Sequence, residues 1–371
     1  MKRCALCDSE ITEDNDSKEH LIPNAIGGRK KIKGFICNGC NNTSGNDWDS
    51  ELAKQLNIMS LFLGIRRERG EVPSQNFETT GKDKIKLNAD GSMTLDRPIF
   101  SEKTLDTEKG IQIQIQARSM NEMKKMLKGV TQKYPQINFE DTLATAKSSS
   151  YYSSDMLKFK LQIGGHKAGR SIVKSALALA VESGIPAQSC EHALDYLKNT
   201  EAEACFGYFN EKDVIMNRPA GIPLHCVAVK GCHKTQQVLG YVEYFGMQRM
   251  VLCLSSIYKG DDVENIYSIN PMTGEEIDIS INLDLTPGDI RDTYNYKKYS
   301  IETAGAALEK VIETGMKASF ERERKRVLDD ALKYACKKCG VKEGESLAPE
   351  DINKFTNFIM EKLEPFIRHH Y

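Results

Sequence analysis

The sequence predicts an α+β protein: a small cysteine-stapled module at the N-terminus, an α+β middle region and a helical C-terminal segment. Three observations lead there. Two Cys-x-x-Cys pairs, Cys4/Cys7 and Cys37/Cys40, frame a short polar stretch. The middle of the chain switches between apolar runs of period two and runs of helical period. The last third reads as highly charged helix.

The chain has 371 residues, 40% hydrophobic and 28% charged, which suits a globular protein of two or three domains with a real core. Its net charge of -1 excludes a global pull towards polyanions, so any nucleic-acid surface must be a local patch. No run of about 18 apolar residues exists, and no membrane span is expected. Met1-Lys2-Arg3-Cys4 lacks an apolar signal-peptide core, so a cytoplasmic location is expected. In that reducing compartment eleven cysteines mean metal ligands and buried thiols rather than disulfides.

The elements follow in order. In residues 1–55 the apolar candidates for a core are Leu21, Ile22, Ile26, Ile32, Phe35, Ile36, Trp48 and Leu52. So small a unit needs a staple. Residues 50–70 read as one amphipathic helix with Leu52, Leu56, Met59, Leu61 and Leu63 inward, Arg66, Arg67 and Arg69 near its end and Gly70 as its stop. KIKLNADGSMTL reads as a hairpin turning at Asp90-Gly91. Residues 110–117 and 158–163 alternate as strands, with a helix over 119–131 between them. Residues 171–183 and 187–199 are helix candidates divided at Gly184. Strands are expected near 204–208, 223–229, 237–245 and 249–255, and helices over 301–334 and 349–368. The expected domains are 1–72, 73–300 and 301–371.

Two Cys-x-x-Cys knuckles complete a tetrahedral four-thiolate site, which suits zinc. Such a site has no open position, so the ion is structural. The 29 residues between the pairs exceed the usual ribbon spacing, so something is inserted there. The insert carries Glu19-His20-Leu21-Ile22-Pro23 and Gly27-Gly28, ahead of Cys37-Asn38-Gly39-Cys40-Asn41.

CALC, EHLIP, IGG and CNGCNNTSG, in that order, resemble the HNH (ββα-metal) endonucleases, in the branch whose finger rests on paired cysteine knuckles. The resemblance covers about residues 4–52. It implies a phosphodiesterase site in which His20 is the general base, Glu19 a carboxylate ligand of a divalent cation and Asn41 an amide-oxygen ligand. Oxygen donors favour magnesium or manganese over a second zinc. Asn46 is the second-rank choice for the Asn41 role, with Asp49 behind it. Glu19 stands where the family more often has Asp. The family's central Asn, a pin for the loop, has no clear match before Phe35. Arg29, Lys30, Lys31 and Lys33 lie in the finger, where the resembling fold borders the nucleic-acid backbone.

Other signals are weaker. Cys336-x-x-Cys339 reads as incidental at a helix end capped by Gly340. The turn Gly164-Gly165-His166 reads first as a plain connection, and second as a phosphate cradle with Arg170. The function expected is an HNH endonuclease cutting DNA, with the regions after 73 selecting substrate, sensing a regulatory partner or ligand, or forming a homodimer. By analogy the role expected is that of a bacterial restriction or antiphage effector. Two other readings use the same residues: an RNA or toxin-like nuclease restrained by a partner or ligand, and a non-catalytic zinc-ribbon binder of nucleic acid.

Overall fold

The structure is a computed structural model and describes residues 2–105, 110–147, 150, 152–342 and 344–371. In chain order its elements are β1 (Glu19–His20), β2 (Lys31–Ile32), α1 (Asn38–Ser44), α2 (Ser50–Gln55), α3 (Asn57–Leu63), β3 (Gln75–Thr79), β4 (Lys84–Leu87), β5 (Met93–Leu95), β6 (Ile99–Leu105), β7 (Gly110–Gln116), α4 (Met120–Lys133), α5 (Phe139–Ala144), β8 (Leu157–Lys158), α6 (His166–Glu182), α7 (Glu191–Lys198), β9 (Phe206–Tyr208), β10 (His225–Cys232), β11 (Gln237–Tyr244), β12 (Gln248–Ser255), β13 (Val263–Ile269), α8 (Pro287–Tyr294), α9 (Ile301–Cys339) and α10 (Ile352–His370). A π-helical turn, Gly45–Asp49, joins α1 to α2. Among the described residues no helix is long and apolar enough to cross a membrane.

Contacts group the chain into two units, residues 1–73 with 161–319 and residues 74–160 with 320–371. This grouping is not the sequential one drawn at 72 and 300. The long strand-rich stretch after 161 packs with the N-terminal module.

The first unit is built on an antiparallel sheet in the order β13-β10-β11-β12-β9. Its central strands are buried on both faces, which explains runs such as CVAV in place of strict alternation. Helix α6 crosses the face of Gly240, where a side chain would press on Ala176 at 3.3 Å. Small residues let helix and sheet approach closely. The opposite face packs Phe209, Leu224, Tyr241, Val251 and Ile290. The second unit holds the sheet β5-β4-β3-β8 and the hairpin β6-β7 with α4, α5, α10 and the later part of α9.

Several expectations change. The helix predicted over 50–70 is two helices, and it stops at Gly64 rather than Gly70. Gly64 takes a left-handed φ of 68° and the Ile65 amide closes on the Ser60 carbonyl. Arg66, Arg67 and Arg69 therefore lie in a loop. The strand predicted over 158–163 is only β8, because its pairing with β3 ends at Lys158. Strand β13 was not anticipated; its alternation is weak and Tyr267, Ser268 and Ile269 are all buried. The hairpin at Asp90-Gly91 is β4–β5, with Gly91 at φ 80°. Cys336 and Cys339 lie in the last turn of α9, and Gly340 follows at φ 72°.

Candidate metal centre and active site

The sulfur atoms of Cys4, Cys7, Cys37 and Cys40 all lie within 4.8 Å of one another. Cys7 Sγ and Cys37 Sγ are 3.7 Å apart, and a tetrahedron with Zn–S bonds of about 2.3 Å has edges of about 3.8 Å. The donor set therefore fits zinc. The Ser9 hydroxyl, 3.1 Å from Cys7 Sγ, and the Ser9 amide pull the Cys7 thiol down to about 6, towards the thiolate a metal needs. Cys40 shifts the other way because it is desolvated. Cys37 is also the N-cap of α1, so the second knuckle sets that helix in place.

Between the knuckles, β1 and β2 pair Glu19 with Ile32 and His20 with Lys31. Alternation along a strand sends neighbours to opposite faces. Glu19 and Ile32 are buried; His20 and Lys31 face outward. The turn between the strands depends on its glycines. A side chain at Gly28 would sit 1.8 Å from the Ile22 carbonyl oxygen, and Gly27 adopts φ 103° against Pro271 and Ile65. Asn24 pins this turn by donating to the Gly28 carbonyl (3.0 Å) and accepting from the Glu68 amide (3.1 Å).

The β1–β2 turn is tied to the sheet. His225, fully buried, donates from Nε2 to the Ile26 carbonyl (2.8 Å) and accepts at Nδ1 from the Phe245 amide (3.0 Å). Burial holds its pKa down at about 4, so the ring is neutral. The Tyr267 hydroxyl accepts from the Lys30 amide at 3.2 Å.

Glu19 has an unforeseen neighbour. Lys174 Nζ donates to Glu19 Oε1 and to Asp49 Oδ2, both at 2.6 Å. The lysine side chain is 1% exposed, Glu19 3% and Asp49 17%. Ser171, one turn before Lys174 on α6, donates to Asp49 Oδ1 at 2.6 Å. Burial opposes the Lys174 charge, but Asp49 and Glu19 outweigh it and its pKa is raised. Burial raises the Glu19 carboxyl against the pull of that ammonium. Among the described residues Lys174 is the side chain bonded to Glu19; Asn41 and Asn46 are not hydrogen-bonded to it. Asn41 is half-buried on α1 and Asn46 is exposed in the π turn.

His20 meets a second unforeseen carboxylate. Its Nε2 lies 3.4 Å from Glu68 Oε2, which also accepts from Lys31 Nζ at 2.6 Å. Burial, then Lys31, lowers the His20 pKa against the opposing pull of Glu68. A neutral imidazole at pH 7 suits a proton acceptor. In the basic run, Arg29 donates to the Arg66 carbonyl at 2.6 Å, Lys30 pairs with Glu182 at 3.1 Å and Lys31 pairs with Glu68. Lys33 is exposed.

The expected core residues of the module are buried, except Trp48, which is half-buried under the Arg170 guanidinium. Arg170 donates to the carbonyls of Tyr196 and Asn199, so it serves the fold where a phosphate cradle had been the second reading. Sequence reasoning passed over Lys174, Glu68, Asn24 and His225. Lys174 had a signal: a single lysine inside SIVKSALALA needs a buried carboxylate. The other three had none, since their partners are backbone groups or lie far along the chain.

Comparison with known proteins agrees with this geometry. Residues 4–57 match the family model described as HNH endonuclease. No curated protein and no solved structure matches the chain. The chain thus carries at its N-terminus an HNH domain with a four-cysteine zinc site.

Proposed function

We propose that this protein is a divalent-metal-dependent HNH endonuclease that hydrolyses phosphodiester bonds in DNA. The observation that carries the reading is the β1–β2 hairpin of the HNH domain. It sets a neutral, outward His20 directly across from Lys31 and at the edge of the basic run. His20 takes a proton from the attacking water, a role worth roughly 10²–10⁴-fold in rate. Lys31, Lys33, Arg29 and Lys30 contact backbone phosphates and give salt-dependent, sequence-tolerant affinity. A magnesium or manganese ion, when bound, supplies Lewis-acid stabilisation of the phosphate and leaving oxygen, with Glu19, Asn41 and Asn46 as proposed donors. Lys174 engages Glu19 Oε1 and leaves Oε2 for such a role.

The proposed setting is a cytoplasmic restriction or antiphage effector, with the regions after 73 choosing substrate or forming a homodimer. A second reading is a nuclease, of DNA or RNA, restrained until a ligand or partner releases it. It draws on the engagement of Arg29, Lys30 and Lys31 within the fold.

The test is cleavage of plasmid and of matched DNA and RNA duplexes by wild type and His20→Ala, with EDTA, magnesium or manganese. Metal-dependent cutting of DNA by wild type, lost by at least 100-fold in the variant, is expected. Preferential RNA cutting replaces the substrate class. No cutting of any substrate by the zinc-loaded protein overturns the first reading and leaves two others, the restrained nuclease and the non-catalytic zinc-ribbon binder.

A further inference from the structure

The ammonium of Lys174 sits where a cation between two acids would sit. It bridges Glu19 Oε1 and Asp49 Oδ2 with equal 2.6 Å contacts, and it is sealed from water. A buried carboxylate beside a half-buried one needs a positive charge between them. Here the chain itself provides one, from a helix far along the sequence. Ser171 holds the outer oxygen of Asp49, so that carboxylate is oriented from both sides by α6.

We infer that Lys174 is a positioning residue of the HNH site: its ammonium is a resident cation that fixes Glu19 against Asp49 and fills the place a divalent ion would otherwise take between them. The inference rests on the reading of Glu19 as part of the nuclease site. Its consequence is specific. A neutral residue of similar length at 174 leaves two converging carboxylate oxygens with a hydroxyl behind them, and oxygen donors of this kind bind magnesium or manganese. Arginine keeps the charge, so it should keep the place filled.

A structural salt bridge would predict lost stability when broken. A resident cation predicts a gain of divalent-ion binding that depends on Asp49 as well as Glu19; a salt bridge without that role would give at most a gain at Glu19 that Asp49→Asn leaves in place.

The experiment measures manganese binding by the intact zinc-loaded protein, from the electron paramagnetic resonance signal of free Mn²⁺. Thermal unfolding is followed with and without manganese. Lys174→Met is expected to bind Mn²⁺ at least tenfold more tightly than wild type and to recover stability when Mn²⁺ is added. Lys174→Arg should match wild type. In the double variant Lys174→Met, Asp49→Asn the gain should vanish. Equal Mn²⁺ affinity in wild type and Lys174→Met overturns the inference. So does a gain that survives Asp49→Asn, or a Lys174→Met protein that is unfolded at every Mn²⁺ concentration. Cleavage by wild type is read separately: its absence would overturn the reading of an unrestrained nuclease without touching Mn²⁺ binding, and the reverse also holds.

Discussion

The cysteine end of the HNH domain and its Glu19–His20 end are held in different ways. Four sulfurs within 4.8 Å of one another close the first, and all four come from the first forty residues. The second is closed by side chains distant in sequence: Lys174 on Glu19, His225 on the Ile26 carbonyl and Tyr267 on the Lys30 amide. A metal staple can hold a short segment by itself, because binding free energy becomes folding free energy. Ion pairs and backbone ties hold a segment only as well as their far partners are placed. The zinc end is therefore autonomous in its bonding, whereas the Glu19–His20 end depends on α6 and the sheet.

Removing zinc should produce the largest change. Structural zinc contributes on the order of 10–16 kcal/mol in small zinc modules. Cys37→Ser is expected to lose zinc and to expose the segment from Cys4 to Asn57 to protease, while β10 to β13 stay protected. Zinc content and limited proteolysis report both halves. Protection of the N-terminal segment after complete zinc loss would mean that the long-range ties hold it unaided.

The opposite end can be loosened by acid. His225 titrates near 6.5 when unfolded but only at about 4 when folded. Between those values the unfolded chain binds the extra proton, so stability is lost as pH falls from 6.5 towards 4. The full span is worth about 3 kcal/mol. Urea unfolding at pH 7 and pH 4.5 should show a drop in wild type that is smaller by about 2 kcal/mol in His225→Gln. An equal drop in both would remove His225 from the acid response. Differencing the two proteins removes the contribution of every group common to both.

The same contrast explains what could be read in advance. The zinc site was legible because paired cysteines at short spacing have few other physical uses in a reducing compartment. Gly27 and Gly28 were legible as a motif, and their reason is steric: no side chain fits against Ile22 or Pro271. The hairpin β4–β5 followed from Asp90-Gly91 between alternating residues. Partners of Glu19 and His20 were not legible, because nothing local specifies which residue of a distant helix or loop arrives. Lys174 was half legible, as a charge stranded in an apolar helix. The stop at Gly64 was missed because Arg66 and Arg67 extend the helical composition beyond the point where the backbone turns left-handed.

Glu68 should give the smallest effect and the finest discrimination. It bridges His20 and Lys31 from an exposed loop. Its charge and hydrogen bond both raise the His20 pKa against burial and Lys31. Glu68→Gln therefore lets that pKa fall further. Cleavage by a neutral base is lost as pH drops through its pKa, so the acid limb of the pH–rate profile should move to lower pH. The same change frees Lys31 for a phosphate, and the slope of log binding constant against log salt should steepen by about 0.9. The two readouts separate two roles. A shifted acid limb with an unchanged salt slope makes Glu68 a partner of His20 alone. A steeper slope with an unmoved limb makes it a carboxylate standing in for a backbone phosphate on Lys31. If neither moves, the contact between His20 and Glu68 has no part in the working site, and the base is tuned by burial and Lys31 alone.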